Sequence, residues 1–164
     1  MSNKLLPVLR SLNLLHELPD ELLSRLATIA QIADFPSGAV IFRQGDPART
    51  VYMVHDGLVS LEICAAGVGC RRILTVGPGE LLGWSPILHQ EQLTATARAL
   101  TPTSVVAADG RQLLDLCEQD SRFGYEFMKR AAMALAQRLN ATRLQLLNLY
   151  GEQMARGPQS PAAD

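Results

Sequence analysis

The sequence has few aromatic residues, almost no net charge and no long apolar run. Aromatic residues make up 5% of the 164 positions, and Trp84 is the one tryptophan. Fifteen Lys and Arg residues balance sixteen Asp and Glu residues, so the positive field that draws proteins onto nucleic acid is missing. No apolar run approaches the roughly 18 residues of a membrane span, and residues 1–7 lack the apolar core of a secretory signal. We therefore expect a cytoplasmic protein with no direct nucleic-acid partner and no membrane contact.

Cysteine is also scarce, since the chain has only three, Cys64, Cys70 and Cys117. An odd number without Cys-x-x-Cys spacing argues against a disulfide framework and against a structural zinc site. Cys64 and Cys70 could face each other across a hairpin as a redox pair. We expect instead that the cysteines are buried, reduced thiols.

Signatures of catalysis are incomplete. Residues 83–87 begin like the Gly-x-Ser-x-Gly elbow of hydrolases, but the second glycine is absent. His16, His55 and His89 are scattered and form no His-x-His or His-x-x-x-His pair. We therefore expect no enzymatic activity, no catalytic residue and no metal site.

The N-terminal part, residues 1–34, is predicted to be helical. A short helix over residues 5–12 accommodates Pro7 in its first turn. A second helix begins at Pro19 and ends near Gln31, because acidic residues follow the proline and an apolar stripe continues from them. The residues of that stripe are Leu22, Leu23, Leu26, Ile29 and Ala30.

Residues 35–108 change to a strand-like pattern of short β-rich runs separated by turn sequences. The Asp56-Gly57 pair lies between two such runs and predicts a hairpin. The last two strands are expected at residues 94–99 and 103–107. So many short strands predict an α+β protein whose centre is an antiparallel β-roll, of the jelly-roll or double-stranded β-helix kind.

Helices return over residues 109–150. Asp109 is placed to cap a helix that reaches Cys117, and Asp120 or Ser121 to cap a longer one that ends at Gly151. Residues 1–150 are thus predicted to form a single domain. Residues 151–164, rich in Pro, Gly, Ser and Ala, are predicted to be a disordered tail.

The long helix carries residues that step by four and three alternately, the spacing of a coiled-coil seam. A helix of about 29 residues extends roughly 40 Å, more than a small roll can cover. We therefore expect a parallel homodimer through this seam, the alternative being that the stripe packs on the roll. The seam residues are Met128, Ala132, Leu135, Leu139, Thr142, Leu146 and Leu149.

Three segments, residues 35–46, 51–59 and 78–83, carry turn glycines and strand residues in a familiar order. In this order they resemble the cyclic-nucleotide-binding domain of Crp/Fnr-type bacterial regulators, of kinase regulatory subunits and of nucleotide-gated channels. The resemblance covers about residues 14–150. It implies a β-roll with a short helix, the phosphate-binding cassette, whose N-terminal amides face the cyclic phosphate. The expected cassette starts in the loop of residues 78–86, with Ser85 as its cap and Pro86 in its first turn.

The resemblance places the ligand-binding residues in two groups, but the charged side chains are missing from both. Cyclic-AMP-binding members usually have Glu after the loop glycine, for the ribose, and Arg before a small polar residue and Ala, for the phosphate. Here Trp84 and Leu93 stand at those positions. Each charge-assisted hydrogen bond contributes about 1.5–3 kcal/mol, so two losses weaken binding by roughly two to four decades. The expected ligand-binding residues are Gly83, Trp84, Ser85, Leu93, Thr94 and Ala95.

Several side chains have more than one interpretation. Trp84 is either a hydrophobic lid over the emptied ribose site or a stacking platform for a flat ligand. Arg98 lies about 13 Å beyond Thr94 along a strand, too far to replace the missing Arg, and is expected to be a surface or turn-stabilising arginine. Of Arg71 and Arg72, one must point outward, and neither is assigned a role.

These features together predict a non-catalytic sensor domain that signals through an unidentified protein partner. Its effector would be a cyclic nucleotide or a related anion, with weak or absent affinity for cyclic AMP. The few residues after Tyr150 leave no room for the helix-turn-helix of a transcription factor. The alternative is a ligand-independent dimeric interaction module that has lost its pocket chemistry.

Overall fold

The computed structural model describes residues 4–155. Two short helices come first, α1 (Leu5–Ser11) and α2 (Asp20–Ile29). The strands are β1 (Ala30–Phe35), β2 (Val40–Phe42), β3 (Thr50–Asp56), β4 (Val59–Ala65), β5 (Gly69–Val76), β6 (Leu81–Leu82), β7 (Thr96–Ala99) and β8 (Thr103–Asp109). A 3-10 helix (Ser85–Leu88) lies between β6 and β7, and α3 (Gly110–Gln119) and α4 (Ser121–Ala155) complete the described chain.

The strands form two four-stranded sheets, in the orders β1-β8-β3-β6 and β2-β7-β4-β5. Every paired strand is antiparallel. Apolar side chains from both sheets share one core cluster, because alternate residues of each strand point inward. The predicted α+β fold with an antiparallel β-roll is confirmed. The cluster consists of Phe42, Val54, Val59, Leu61, Val76, Leu82, Leu93, Ala97 and Val105.

The boundary between α2 and the roll differs from the prediction. The helix ends at Ile29, and β1 begins at Ala30, five residues before the expected change of pattern at Phe35. β1 pairs with β8 from Ala30 opposite Ala108 to Phe35 opposite Thr103. The helical stripe continued to Ala30 in the sequence. Pairing with a strand about seventy residues away in sequence instead makes this segment extended.

The Asp56-Gly57 pair does not form the predicted hairpin. β3 and β4 lie in different sheets, so this turn carries the chain from one sheet to the other. Gly57 has φ +92°, and a Cβ on it would lie 2.5 Å from the Pro102 carbonyl oxygen. The amide of Leu58 donates to Thr101 Oγ1 at 2.9 Å. The turn thus packs on the connection from β7 to β8, where the chain crosses between the same two sheets.

The hairpin of β4 and β5 corrects the expectation for two cysteines. Cys64 and Cys70 lie opposite each other in the strand register and form a disulfide bond. They are not buried thiols, since Cys64 is half-buried and Cys70 is exposed. The turn between them closes the hairpin tightly enough to bring the two side chains together. Cys117 is a free, half-buried thiol.

The predicted cap Asp109 is confirmed, and of the two alternatives for the longer helix, Asp120 and Ser121, Asp120 is the cap. Asp109 Oδ1 accepts from the Gln112 amide at 2.9 Å at the start of α3. Asp120 Oδ1 accepts from the amides of Arg122 and Phe123, both at 3.1 Å, at the start of α4. Asp120 also forms an ion pair with Arg25 of α2 at 3.3 Å, which ties this helix start to the N-terminal helices.

Replacing the Asp120 cap should destabilise the protein measurably. In Asp120→Ala the amides of Arg122 and Phe123 lose their acceptor, and we expect the free energy of unfolding to fall by about 1–2 kcal/mol. Asp115→Ala is the matched control, because Asp115 is exposed and caps no helix. Urea unfolding followed by circular dichroism measures both. An equal loss in the two variants would contradict the capping role.

α4 is longer than predicted and does not end at Gly151. It continues through that glycine to Ala155, so the predicted tail is helical at its start. Helical hydrogen bonding continues where the isolated Gly signal predicted a stop. The rest of the predicted tail, residues 156–164, lies outside the described residues.

The described chain divides into two compact units, with the boundary after Ala131 within α4. In the first unit α4 is anchored by Phe123 and Phe127, which are fully buried and stacked at 5.8 Å. In the second unit every described side chain from Leu139 onward is exposed. Of the predicted seam, Met128 and Leu135 are half-buried and the other five residues are exposed.

Candidate functional site

The expected ligand loop forms a short strand followed by a 3-10 helix. β6 pairs with β3, placing Leu82 opposite Tyr52. The chain then turns at Gly83, and the four-residue 3-10 helix Ser85–Leu88 follows. β6 was not predicted, since two leucines in a loop rich in Gly and Pro give no strand pattern. Its pairing fixes where the turn at Gly83 lies on the first sheet.

The start of the 3-10 helix differs from the predicted cap. Trp84, not Ser85, is the N-cap residue, and no side chain caps this end. Ser85 is inside the helix and only 2% exposed. Pro86 has no amide hydrogen, and the Ile87 amide donates to the Trp84 carbonyl at 3.0 Å. Neither Pro86 nor Ile87 can therefore offer an amide to an anion.

Gly83 lies against an aromatic pair and cannot easily be replaced. Its φ is +61°, and an added Cβ would lie 3.1 Å from the Thr50 carbonyl oxygen and 3.3 Å from Tyr52 Cδ2. Phe42 and Tyr52 stack beneath it with centroids 5.6 Å apart. Burial raises the pKa of the Tyr52 phenol above 10.0, against a smaller lowering by a hydrogen bond with Thr50, so the phenol is neutral at physiological pH. The loop turn thus rests on an uncharged, mostly apolar floor.

We expect Gly83→Ala to destabilise the loop more than an alanine at another positive-φ glycine. The new methyl group meets Thr50 and Tyr52 in addition to adopting an unfavourable φ, so the loss should be about 2–3 kcal/mol. Gly67→Ala is the matched control, since Gly67 has φ +76° but nothing within 4 Å of an added Cβ. It should lose about 1 kcal/mol. Thermal unfolding of both variants gives the comparison, and equal losses would contradict the close packing.

The second group of expected ligand residues is split by the structure. Leu93 is only 7% exposed and belongs to the core cluster with Phe42 and Leu82. Thr94 is exposed and Ala95 is half-buried, and both precede β7, which begins at Thr96 and not at Thr94. At the position where the resemblance implies an arginine, the structure therefore has an apolar side chain packed into the core.

Main-chain hydrogen bonds hold the segment around Leu93 to the turn that follows β2. The Gly45 amide donates to the Leu93 carbonyl at 2.8 Å, and the Leu93 amide donates to the Asp46 carbonyl at 2.9 Å. The Gln44 amide donates to Thr96 Oγ1 at 3.0 Å. These bonds fix both ends of the short segment that carries Thr94 and Ala95.

Arg98 has the turn-stabilising role expected of it. Its Nη1 donates to the Gly38 carbonyl at 3.1 Å, and its Nε lies 3.6 Å from Glu62. Ser60, which is fully buried, donates from Oγ to Glu62 Oε1 at 2.9 Å. Ser60 and Glu62 were not predicted as functional residues, although a Ser and a Glu in alternate positions of the otherwise apolar β4 were a signal. Arg71 and Arg72 are both exposed on β5, and neither points into the roll.

An open depression of about 500 Å³ lies beside the 3-10 helix, away from the residues expected to bind ligand. It contains three basic side chains, Arg49, His89 and Arg111, and one acid, Asp109, which already caps α3. Arg49 and Arg111 are more than sixty positions apart in sequence, so no local pattern could have indicated this grouping.

The 3-10 helix packs directly on the start of α3. A Cβ on Gly110 would lie 2.4 Å from Pro86 Cβ, so the absence of a side chain there allows the contact. Any shift of the 3-10 helix must therefore move Gly110 or open a gap beside it. This contact joins the 3-10 helix to the start of the C-terminal helices.

The described residues provide neither a metal-binding cluster nor a membrane-spanning helix. Among residues 4–155, no group of three or more His, Cys, Asp or Glu side chains is placed to hold a metal ion. No described helix combines the length and the apolar character needed to cross a membrane.

Known proteins resemble this chain over most of its described length. The cyclic AMP receptor protein of Thermus thermophilus is 30% identical over 133 residues, which are 81% of this chain and 60% of that protein. A cyclic nucleotide-binding domain from Methylobacillus flagellatus superimposes with a TM-score of 0.76 at 19% identity, covering 90% of this chain and 83% of that one. The sensor domain of the transcriptional regulator DNR from Pseudomonas aeruginosa gives 0.68 at 18% identity, with coverages of 85% and 93%. The two structural likenesses show the fold alone.

The match to a family extends over most of the roll. The chain spans less than two thirds of the length of the curated relatives, 23% of a potassium channel protein of Rhodopseudomonas palustris and 60% of the Thermus receptor. The model of the cyclic nucleotide-binding domain matches residues 32–120, more than half of the chain. This chain therefore belongs to the cyclic nucleotide-binding domain family.

Proposed function

We propose that this domain is a regulatory sensor whose pocket lacks the charged side chains of an ordinary cyclic AMP site and that signals through a protein partner. The observation that carries the proposal is the burial of Leu93 in the core cluster at the position where the family arginine is expected. A leucine offers the cyclic phosphate neither a charge nor a hydrogen bond. Binding would then depend on loop amides, on Trp84 and on the shape of the roll.

The remaining loop geometry favours a retained ligand site over a lost one. The tight turn at Gly83, the 3-10 helix and its contact with α3 are all present. Trp84 is half-buried at the start of the 3-10 helix, and an indole at this place could stack on a flat ligand. We infer that the effector is a cyclic nucleotide or another anion with a planar group. This domain would bind it more weakly than family members with the charged side chains bind cyclic AMP.

A second candidate function is a ligand-independent dimeric interaction module. The same burial of Leu93 favours it, because a side chain packed in the core also fills space that a ligand could use. In this case Trp84 acts as a lid, and the loop is structural. The two candidates differ in one property, the response of the loop to small molecules.

For either candidate we propose a parallel homodimer through α4. Five of the seven predicted seam residues are exposed, and they include Leu139, Leu146 and Leu149 at 51%, 49% and 58% exposure. Exposed leucines at seam spacing favour burial against a second helix. The dimer would give the sensor a surface whose arrangement can differ between bound and free states.

Titration of Trp84 emission tests the sensor proposal directly. Trp84 is the one tryptophan, so any change in emission comes from the ligand loop. We expect cyclic AMP, cyclic GMP, cyclic di-GMP or a simple anion to change the emission with a saturable dependence and to raise the melting temperature. The Trp84→Phe variant, followed by thermal shift alone, is the control for inner-filter effects. A flat emission and an unchanged melting temperature at millimolar ligand would exclude the sensor and favour the interaction module.

A further inference from the structure

The bonded cysteine pair lies at the exposed end of the β4–β5 hairpin, outside the core. Cys64 is half-buried, Cys70 is exposed, and Val68 between them is 60% exposed. The hairpin is held nearer the core by Leu61 and Val76, which are 8% and 0% exposed. The disulfide therefore closes only the hairpin end, and the roll does not need it to bury its apolar side chains.

The surroundings of the pair suit thiol chemistry. Reactive cysteines occur in partly exposed, positively charged surroundings, where the thiolate is favoured. Arg71 follows Cys70 directly, and Arg72 lies on the same face of β5 because alternate strand residues share a face. Both arginines are exposed, and the acid opposite Arg72, Glu62, is already held by Arg98 and Ser60.

A chain of three hydrogen bonds connects this hairpin end with the segment that carries Thr94 and Ala95. The Cys64 amide donates to Gln44 Oε1 at 2.9 Å. The Gln44 amide donates to Thr96 Oγ1 at 3.0 Å, and the Gly45 amide donates to the Leu93 carbonyl at 2.8 Å. Residues 44–46 thus contact the cysteine pair on one side and both ends of residues 93–96 on the other.

We propose that Cys64 and Cys70 are a reversible redox switch that sets how firmly the turn at residues 44–46 holds residues 93–96. In the oxidised form the disulfide fixes Cys64 and keeps its amide on Gln44. In the reduced form the hairpin end opens locally, the Cys64–Gln44 bond weakens, and the turn loosens. The oxidation state of the cysteine pair would therefore act on residues 93–96 whether or not a nucleotide is bound.

The oxidant is a low-molecular-weight disulfide, RS–SR. The exposed Cys70 thiolate attacks one sulfur and releases RS⁻, forming a mixed disulfide. The Cys64 thiolate then attacks the Cys70 sulfur and releases the second RS⁻. The two cysteine protons pass to the two released thiolates, so the pair loses two electrons and RS–SR becomes two RSH. An excess of dithiol reverses both steps.

Cys117 provides an internal control in the same chain. It is half-buried and free, and burial, with a smaller effect of the Glu118 charge, raises the pKa of its thiol to about 11. It is therefore a neutral thiol at pH 7 in the folded protein and a poor nucleophile. It should stay reduced under conditions that oxidise the hairpin pair.

The test uses the full chain without nucleotide, treated with oxidised glutathione or with dithiothreitol. After alkylation in denaturant, which also exposes Cys117, mass spectrometry should show one labelled cysteine in the oxidised protein and three in the reduced protein, interconverting on change of reagent. Hydrogen exchange at the amides of Cys64, Gln44 and Gly45 should be about tenfold faster in the reduced form, with Val105 unchanged. Cys117→Ser should keep this response, and Cys64→Ser/Cys70→Ser should exchange like the reduced form with either reagent.

Three results would overturn the proposal. Three labelled cysteines after oxidised glutathione would mean that the pair does not form a disulfide. One labelled cysteine with unchanged exchange at residues 44 and 45 would mean that the bond is not coupled to the ligand segment. Faster exchange at Val105 as well would mean that the bond supports the whole fold. None of these results depends on nucleotide binding. A titration that leaves the Trp84 emission unchanged would therefore not contradict the redox switch.

Discussion

The double variant Trp84→Glu/Leu93→Arg is expected to bind cyclic AMP roughly two to four decades more tightly than the native chain. The two substitutions supply the carboxylate and the guanidinium that family members usually present to the ribose and the phosphate. Each restored charge-assisted bond contributes about 1.5–3 kcal/mol. Isothermal titration of the native and double-variant chains at the same salt concentration measures the difference.

The burial of Leu93 adds a second expected result for this variant. An arginine at this site leaves a charge near an apolar cluster when no ligand is present, so the free variant should melt below the native protein. Cyclic AMP should then raise its melting temperature strongly. The matched control is Trp84→Gln/Leu93→Met, whose side chains are similar in size to those of the charged variant but carry no charge. It should bind cyclic AMP no better than the native chain. Equal binding by the two double variants would contradict the role given to the missing charges.

Placing charges in the α4 seam should convert the proposed dimer into a monomer. In Leu139→Glu/Leu146→Glu, four leucines per dimer are lost, each contributing about 1.5–3 kcal/mol when buried. Dimerisation should weaken by roughly four decades or more. Light scattering of the native chain should give twice the 17.8 kDa mass, and the variant should give the single-chain mass.

The control replaces two exposed leucines of the same helix by glutamate at positions outside the seam. Leu144 and Leu147 are 62% and 66% exposed and lie outside the four-three spacing of the seam. Leu144→Glu/Leu147→Glu should therefore remain dimeric. A native chain that stays monomeric at high concentration, or a control that dissociates like the seam variant, would contradict the predicted seam.

Local sequence patterns were sufficient where a structural element depends on nearby residues. Asp109 and Asp120 cap the helices that they were predicted to cap, since capping involves only the next two or three amides. The roll itself was predictable from many short strands separated by turns. Arg98 was predicted to be a surface or turn-stabilising residue because of its distance from Thr94, and it donates to the Gly38 carbonyl in a turn.

Prediction failed where partners distant in sequence decide the structure. The apolar stripe of α2 continues into the first residue of β1 and predicts helix there, but pairing with β8 makes the segment a strand. Asp56-Gly57 was interpreted as a hairpin because its local turn geometry is common to hairpins and to crossings between sheets. The odd cysteine count argued against a disulfide framework and left the Cys64–Cys70 pair as the less favoured alternative, although the register of the hairpin decides it. At the candidate site, the sequence predicted which side chains are missing, whereas only packing showed that Leu93 lies in the core.

The affinity of the native chain for cyclic AMP is the most direct test of the central claim, that Trp84 and Leu93 remove the charged contacts of the pocket. Isothermal titration at 25 °C should give a dissociation constant of about 1 mM or weaker, equivalent to about −4 kcal/mol or less favourable binding. A micromolar dissociation constant, unchanged in the Trp84→Glu/Leu93→Arg variant, would show that the pocket binds cyclic AMP without those contacts and would contradict the account.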